Sequence, residues 1–169
     1  MDGGEPHLRV ENRVLPAGPT VTDVVANAAF YYGMVHMLAE AERPIWSQMS
    51  FAAARDNLVE ASRHGLDARL YWPGLGEVPA AELILRRLLP LSYDGLCLRG
   101  VDTMAAERLL GVIEQRCLTG RTGATWQTET VHALEERSGL DRDTALLQMT
   151  QRYLKYMQTG GPVHTWPAA

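Results

Sequence analysis

The 169-residue sequence predicts a predominantly α fold, with about six helices after one N-terminal β-strand, in a single domain. Three observations predict it. Apolar residues recur at three- and four-residue spacing through most of residues 20–160. Threonine, serine, aspartate and glycine punctuate those runs where caps belong. Alternation of apolar and charged residues, interrupted at Asn12, marks the segment near the N-terminus. The expected division is a strand and turn over 1–19, a helical body over 20–160 and an irregular tail over 161–169.

The strand is expected over residues 7–15. Leu8, Val10 and Val14 alternate with Arg9, Glu11 and Arg13, which puts the three charges on one face. Pro16, Gly18 and Pro19 end it. A first helix is expected over about 21–40, capped by Thr20 or Thr22, with Asp23 at its positive end. Its expected inward stripe is Val21, Val25, Ala28, Tyr32, Val35 and Leu38. A second helix covers about 50–64, with Phe51, Ala54, Leu58 and Ala61 on one face and Gly65 closing it.

Residues 66–78 read as an ordered loop or short hairpin around Pro73 and Gly74. A third helix starts near Pro79 and runs to about Leu89, where Pro90 kinks or ends it. A fourth follows Asp102 or Thr103 to about Cys117, with Leu109, Val112, Ile113 and Cys117 inward. After the glycine turn 119–123, a fifth covers about 124–137 and ends at Gly139. Asp141 caps a sixth that reaches about Gln158, with Leu146, Met149, Tyr153 and Met157 on a face. Gly160, Gly161 and Pro162 stop it, and the remaining tail has no periodicity.

Composition narrows the function classes. A net charge of −4 argues against a generally cationic nucleic-acid binder. No apolar run approaches the roughly 18–20 residues of a membrane span, and the first residues do not read as a secretory leader. Cys97 and Cys117 form no CxxC pair, so two free thiols in a cytoplasmic protein are expected. Lys155 is the only lysine and no glycine loop precedes it, which leaves no P-loop. The scattered histidines, His36 among them, read as packing or solvent residues, and the four tryptophans mostly as core anchors.

The chemistry concentrates in Arg9-Val10-Glu11-Asn12-Arg13. On a strand, alternate residues stand about 6.8 Å apart along the chain. A carboxylate between two guanidinium groups suits a divalent cation and phosphate together. The same pattern also suits a salt-bridge ladder on a solvated face. The 119–123 turn offers backbone N–H groups before a helix, an anion site or plain punctuation.

Residues 7–33 (HLRVENRVLPAGPTVTDVVANAAFYYG) resemble the C-terminal region of bacterial glutamate–cysteine ligases. These include the carboxylate–amine ligases of the second glutamate–cysteine ligase family, within the glutamine synthetase superfamily. Asn57 with Ala61-Ser62-Arg63-His64-Gly65-Leu66-Asp67-Ala68 resembles that family's Asn-plus-Ala-x-Arg-x-Gly-Leu-Asp-Ala segment. Residues 119–127 resemble its Gly-x-Gly-Ala-x-x-Gln turn. The three matches keep the family's order.

The resemblance implies the C-terminal part of a glutamine synthetase-like α+β fold. It implies Glu11 as a divalent-metal ligand, Arg9 near nucleotide phosphate and Arg13 on substrate or the transferring phosphoryl group. It also implies nucleotide contact for Arg63 and substrate contact for Asn57 and Gln127, although Gln127 suits a solvated face better and Arg63 equally suits the negative end of its helix. The implied reaction joins glutamate to an amine such as cysteine, using ATP with Mg²⁺ or Mn²⁺ and an acyl-phosphate intermediate.

One carboxylate does not make an ATP–metal site. The expectation is therefore a segment that is inactive alone and binds no cofactor by itself. Its expected complement is an N-terminal catalytic region or a separate chain, with no nucleic acid and no membrane; homo-oligomerisation stays open. The competing expectation is a non-catalytic helical interaction or oligomerisation module.

Overall fold

The computed structural model describes residues 18–167. The strand expected over 7–15, and with it Arg9, Glu11 and Arg13, lies outside the described residues. What is described is predominantly helical, with one small antiparallel hairpin.

Helix α1 spans Val21–Ala39. Thr20 is its cap, and the capping box is reciprocal: Asp23 N–H donates to Thr20 Oγ1, and Thr20 N–H donates to Asp23 Oδ2. Helix α2 spans Phe51–His64, capped by Ser50 Oγ and closed by Gly65 at φ +56°. The 66–78 segment resolves into the hairpin side of the expectation: β1 (Arg69–Trp72) pairs antiparallel with β2 (Gly76–Pro79). Gly74 and Gly76 take positive φ at its tip.

The rod after Pro79 is longer than the sequence predicts. It runs through α3 (Ala80–Leu83), a π turn (Ile84–Leu88) and α4 (Leu89–Leu98). Pro90 does not end it. The Leu89 N–H reaches back to Ile84 O, five residues away, so the ladder is already widened where the proline contributes no donor. Helices α5 (Thr103–Thr119), α6 (Gly123–Ser138) and α7 (Arg142–Met157) follow, capped by Asp102, Thr122 and Asp141.

Two inward faces differ from expectation. On α1 the buried positions are Asp23, Ala26 and Gly33, while Val21, Val25, Tyr32 and Val35 face water. The reason is a close crossing. Gly33 lies against Ser92 of α4, and Gly95 lies against the Gly33 carbonyl, with no room at either for a side chain. The small residues therefore make the contact, and the larger apolar ones point away. On α2, Phe51 is 85 % and Leu58 56 % exposed. That helix packs on β1 through its other side.

The main core joins α1, α4 and α5 through Ala26, Leu89, Leu96, Leu110, Val112 and Ile113. On α5 Leu110, rather than Leu109, is the buried leucine. A second core surrounds Trp126, Val163 and Trp166, with Met149, Tyr153 and Tyr156 of α7 against them. Trp126 and Trp166 meet edge to face at 5.1 Å. The tail is thus a core element, not a loose end. A 3₁₀ turn over Val163–Thr165 inserts Val163 and Trp166 between α6 and α7. Trp46, by contrast, is 73 % exposed and anchors no core.

Candidate functional site

The densest polar constellation among the described residues sits where α1 begins. Asp23 is 0 % exposed, because the capping box turns the first turn of α1 into the body. Arg116, on the last turn of α5, reaches it: Nη2 donates to Asp23 Oδ1 at 2.5 Å and Nη1 donates to Asn27 Oδ1 at 2.7 Å. The same carboxylate accepts from Thr20 Oγ1 at 2.8 Å and from the Val163 N–H at 3.2–3.3 Å. One aspartate thereby ties α1, α5 and the 163–166 turn together. Thr22 Oγ1 adds a bond to Gly160 O at 3.0 Å.

A buried charge pair lasts only when its remaining donors and lone pairs are met. Here Asp23 is well supplied, whereas Arg116 Nε and His164 Nδ1 are buried without a partner among the described residues. Burial, reinforced by the Arg116 charge, lowers the His164 pKa; Asp23 pulls the other way. Burial, with a smaller contribution from Asp23, raises that of Tyr153. His164 therefore stays neutral more readily in the fold than in the unfolded chain. The unfolded chain binds the proton first as pH falls, so the stability contribution is present above about pH 6.5 and is lost below it. His164→Gln is expected to flatten the decline in stability between about pH 6.5 and 5. Urea midpoints across that range measure it; an unchanged slope would show that His164 does not contribute.

The expected site residues fall in separate places. Asn57 faces the hairpin: its Nδ2 donates to Tyr71 O at 2.8 Å and its Oδ1 accepts the Tyr71 N–H at 2.7 Å. Both ends of the amide are committed to the backbone of β1, a positioning role that extends the sheet's hydrogen bonding onto a helix. Asn57→Ala is expected to cost about 1–2 kcal/mol and to speed amide exchange across β1 and β2. Hydrogen exchange checks this; hairpin protection equal to wild type would refute the clamp.

Arg63 is exposed on the last turn of α2 and pairs with no side chain among the described residues. Gln127 Nε2 donates to its own helix at Gly123 O, 3.0 Å away, beside a groove that Arg142 and Leu146 of α7 also line. Asn57 thus serves the hairpin, Arg63 stays in solvent at the end of α2, and Gln127 belongs to the α6–α7 side.

The 119–123 turn uses two of its donors internally. Thr122 N–H bonds to Thr125 Oγ1 at 2.7 Å, and Arg121 N–H bonds to Thr119 Oγ1 at 3.3 Å. Arg121 Nη1 holds Trp166 O at 2.8 Å. That is punctuation and tail anchoring, and these amides are not presented to an anion. Burial pushes the Cys117 thiol up to about 11, which removes it as a nucleophile. Among the described residues no group of three or more His, Cys, Asp or Glu side chains could hold a metal ion.

The sequence pointed to Asp23 only as a helix-end charge. The Thr-x-x-Asp spacing was the available signal for the capping box. Nothing local marks Arg116 or His164 as its companions. Comparison with family models, curated proteins and solved structures gives no match.

Proposed function

We propose that the chain works as the C-terminal helical segment of an ATP-dependent carboxylate–amine ligase of the glutamate–cysteine type. The observation that carries this reading is the ordered set of three resembling segments, at 7–33, 57–68 and 119–127. The Asp23–Arg116 knot supports it mechanically. It secures the start of α1, a short way along the chain from Arg13, to α5 and the tail. A segment that contributes charged groups to a phosphoryl-transfer site needs such a foundation, because that chemistry depends on positioning.

In this reading Glu11 holds a divalent cation, Arg9 lies by the nucleotide phosphates and Arg13 by the substrate. A cation held there would offset charge on the phosphoryl group. The γ-carboxylate of glutamate attacks the terminal phosphorus of ATP, forming an acyl phosphate and releasing ADP. The amine then attacks the acyl carbon and phosphate leaves. Arg63, with its guanidinium available, remains a candidate nucleotide contact. Asn57 and Gln127 have their amides engaged within the fold. The further carboxylates that an ATP–metal site requires come from outside the described residues.

The purified 169-residue chain is expected to show no robust phosphate release from ATP with glutamate and cysteine; strong turnover would contradict the division of labour. In the completed ligase, Glu11→Ala is expected to abolish metal-dependent turnover, and near-normal turnover would remove Glu11 from the site.

A second reading, a non-catalytic interaction or oligomerisation module, is favoured by the open apolar face of α2, with Phe51 and Leu58 in solvent. Concentration-dependent self-association that Leu58→Glu abolishes would support it.

A further inference from the structure

We propose that the cleft between the end of α1, the 40–48 loop, the hairpin tip and α4 binds a small amphipathic anion. The ligand class is an aromatic or branched aliphatic body carrying one carboxylate, phosphate or sulfonate. This inference stands apart from the ligase reading.

The cleft has a volume of about 470 Å³. That lies within the roughly 300–1,000 Å³ typical of small-molecule sites. Met37, Leu91, Leu98 and Trp72 give it an apolar lining, and Arg43 and Arg87 add two cations. Neither arginine pairs with a side chain among the described residues. Their neighbours differ. Arg86 is taken by Glu82 at 3.0 Å, and Arg99 by Glu40 at 3.7 Å. Glu40 also lines the cleft, but its charge is already engaged, so the balance left over is positive.

The placement follows from the rod's geometry. Arg87 is in the π turn, and Leu91 is four residues on, so both look into the same cleft. Trp72 ends β1, held in place by the hairpin register opposite Gly76. Its indole offers a flat face to an aromatic ligand or to an arginine. Both guanidinium groups are exposed, so each adds modest attraction, and an anion gains most when its apolar body covers the lining at the same time. A neutral apolar ligand would leave both cations unused, and a bare inorganic anion would leave the lining wet.

The test uses two fluorescent probes on the full chain. One is 8-anilinonaphthalene-1-sulfonate, an anion with an aryl body. The other is N-phenyl-1-naphthylamine, which has the same rings and no charge. The sulfonate is expected to bind saturably at one site. Arg43→Gln with Arg87→Gln is expected to weaken that binding by about tenfold or more. The uncharged probe should bind both proteins alike, and Arg86→Gln should leave sulfonate affinity unchanged. All three arginines are exposed, and circular dichroism confirms that the variants are folded. Unsaturable sulfonate binding, affinity unaltered in the double variant, or an equal loss in Arg86→Gln would each overturn the proposal.

Discussion

Replacing Asp23 with alanine is expected to lower the unfolding free energy by about 3–5 kcal/mol, enough to threaten the fold of a domain this size. The size of the effect comes from what is left behind. Arg116 would keep its buried position with Asn27 as its main remaining polar partner, and its Nε is already unmet. The Thr20 N–H and the Val163 N–H would lose their acceptor as well. Asp23→Asn keeps the shape and some hydrogen bonds, so it should cost less. The pair Asp23→Ala with Arg116→Met removes the stranded charge and should recover part of the loss. Urea denaturation of Asp23→Ala, Arg116→Met and the double variant measures this coupling. Additive losses in the double variant would mean that the two residues do not act as a pair.

The second large effect is at the α1–α4 crossing. A Cβ on Gly33 would sit 2.8 Å from the Ser92 carbonyl carbon and 2.9 Å from its Cα, closer than packed atoms come. The obstacle is backbone, so no side chain can rotate aside. Gly33→Ala should therefore push the helices apart and cost about 3 kcal/mol or more, despite a gain of about 1 kcal/mol in helix propensity. Gly111 on α5 is the control. A Cβ there meets nothing within 4 Å, so Gly111→Ala should stabilise by about 0.5–1 kcal/mol. Opposite signs from the same substitution would establish the crossing as the cause. A stabilising Gly33→Ala would show that the helices are not in contact there.

These two sites show what could be read from the sequence and what could not. Helix starts were legible because caps are local: Asp141 caps as read, Thr20 and Asp102 prove to be the caps of the pairs Thr20 or Thr22 and Asp102 or Thr103, and Ser50, read as the approximate start of its helix, is the cap. The hairpin was partly legible, since Pro73, Gly74 and Gly76 announce a turn. The inward face of α1 was not. Periodicity favours the largest apolar residues, and this helix packs through Ala26 and Gly33 because its neighbour comes so close. Pro90 read as a kink or a helix end, and that choice stayed open because the π turn that precedes it has no sequence signature. The tail read as irregular because a 3₁₀ turn of three residues has no period, although Val163 and Trp166 are buried.

The candidate site divides in the same way. Asn57 drew attention through a resemblance, and the geometry gives it a structural task on Tyr71. Arg116 lies 93 positions from Asp23, so only tertiary structure could join them. Glu11 and its flanking arginines remain known by pattern alone, outside the described residues.

The central claim is tested most directly by assaying the completed ligase, this chain together with the catalytic region it requires, for γ-glutamyl product, with Mg²⁺–ATP, glutamate and cysteine or another small amine. The account predicts product formation that needs the metal, the nucleotide, glutamate and an amine together, and that disappears with Glu11→Ala. Product formation that survives Glu11→Ala, or no product with any amine, would contradict it.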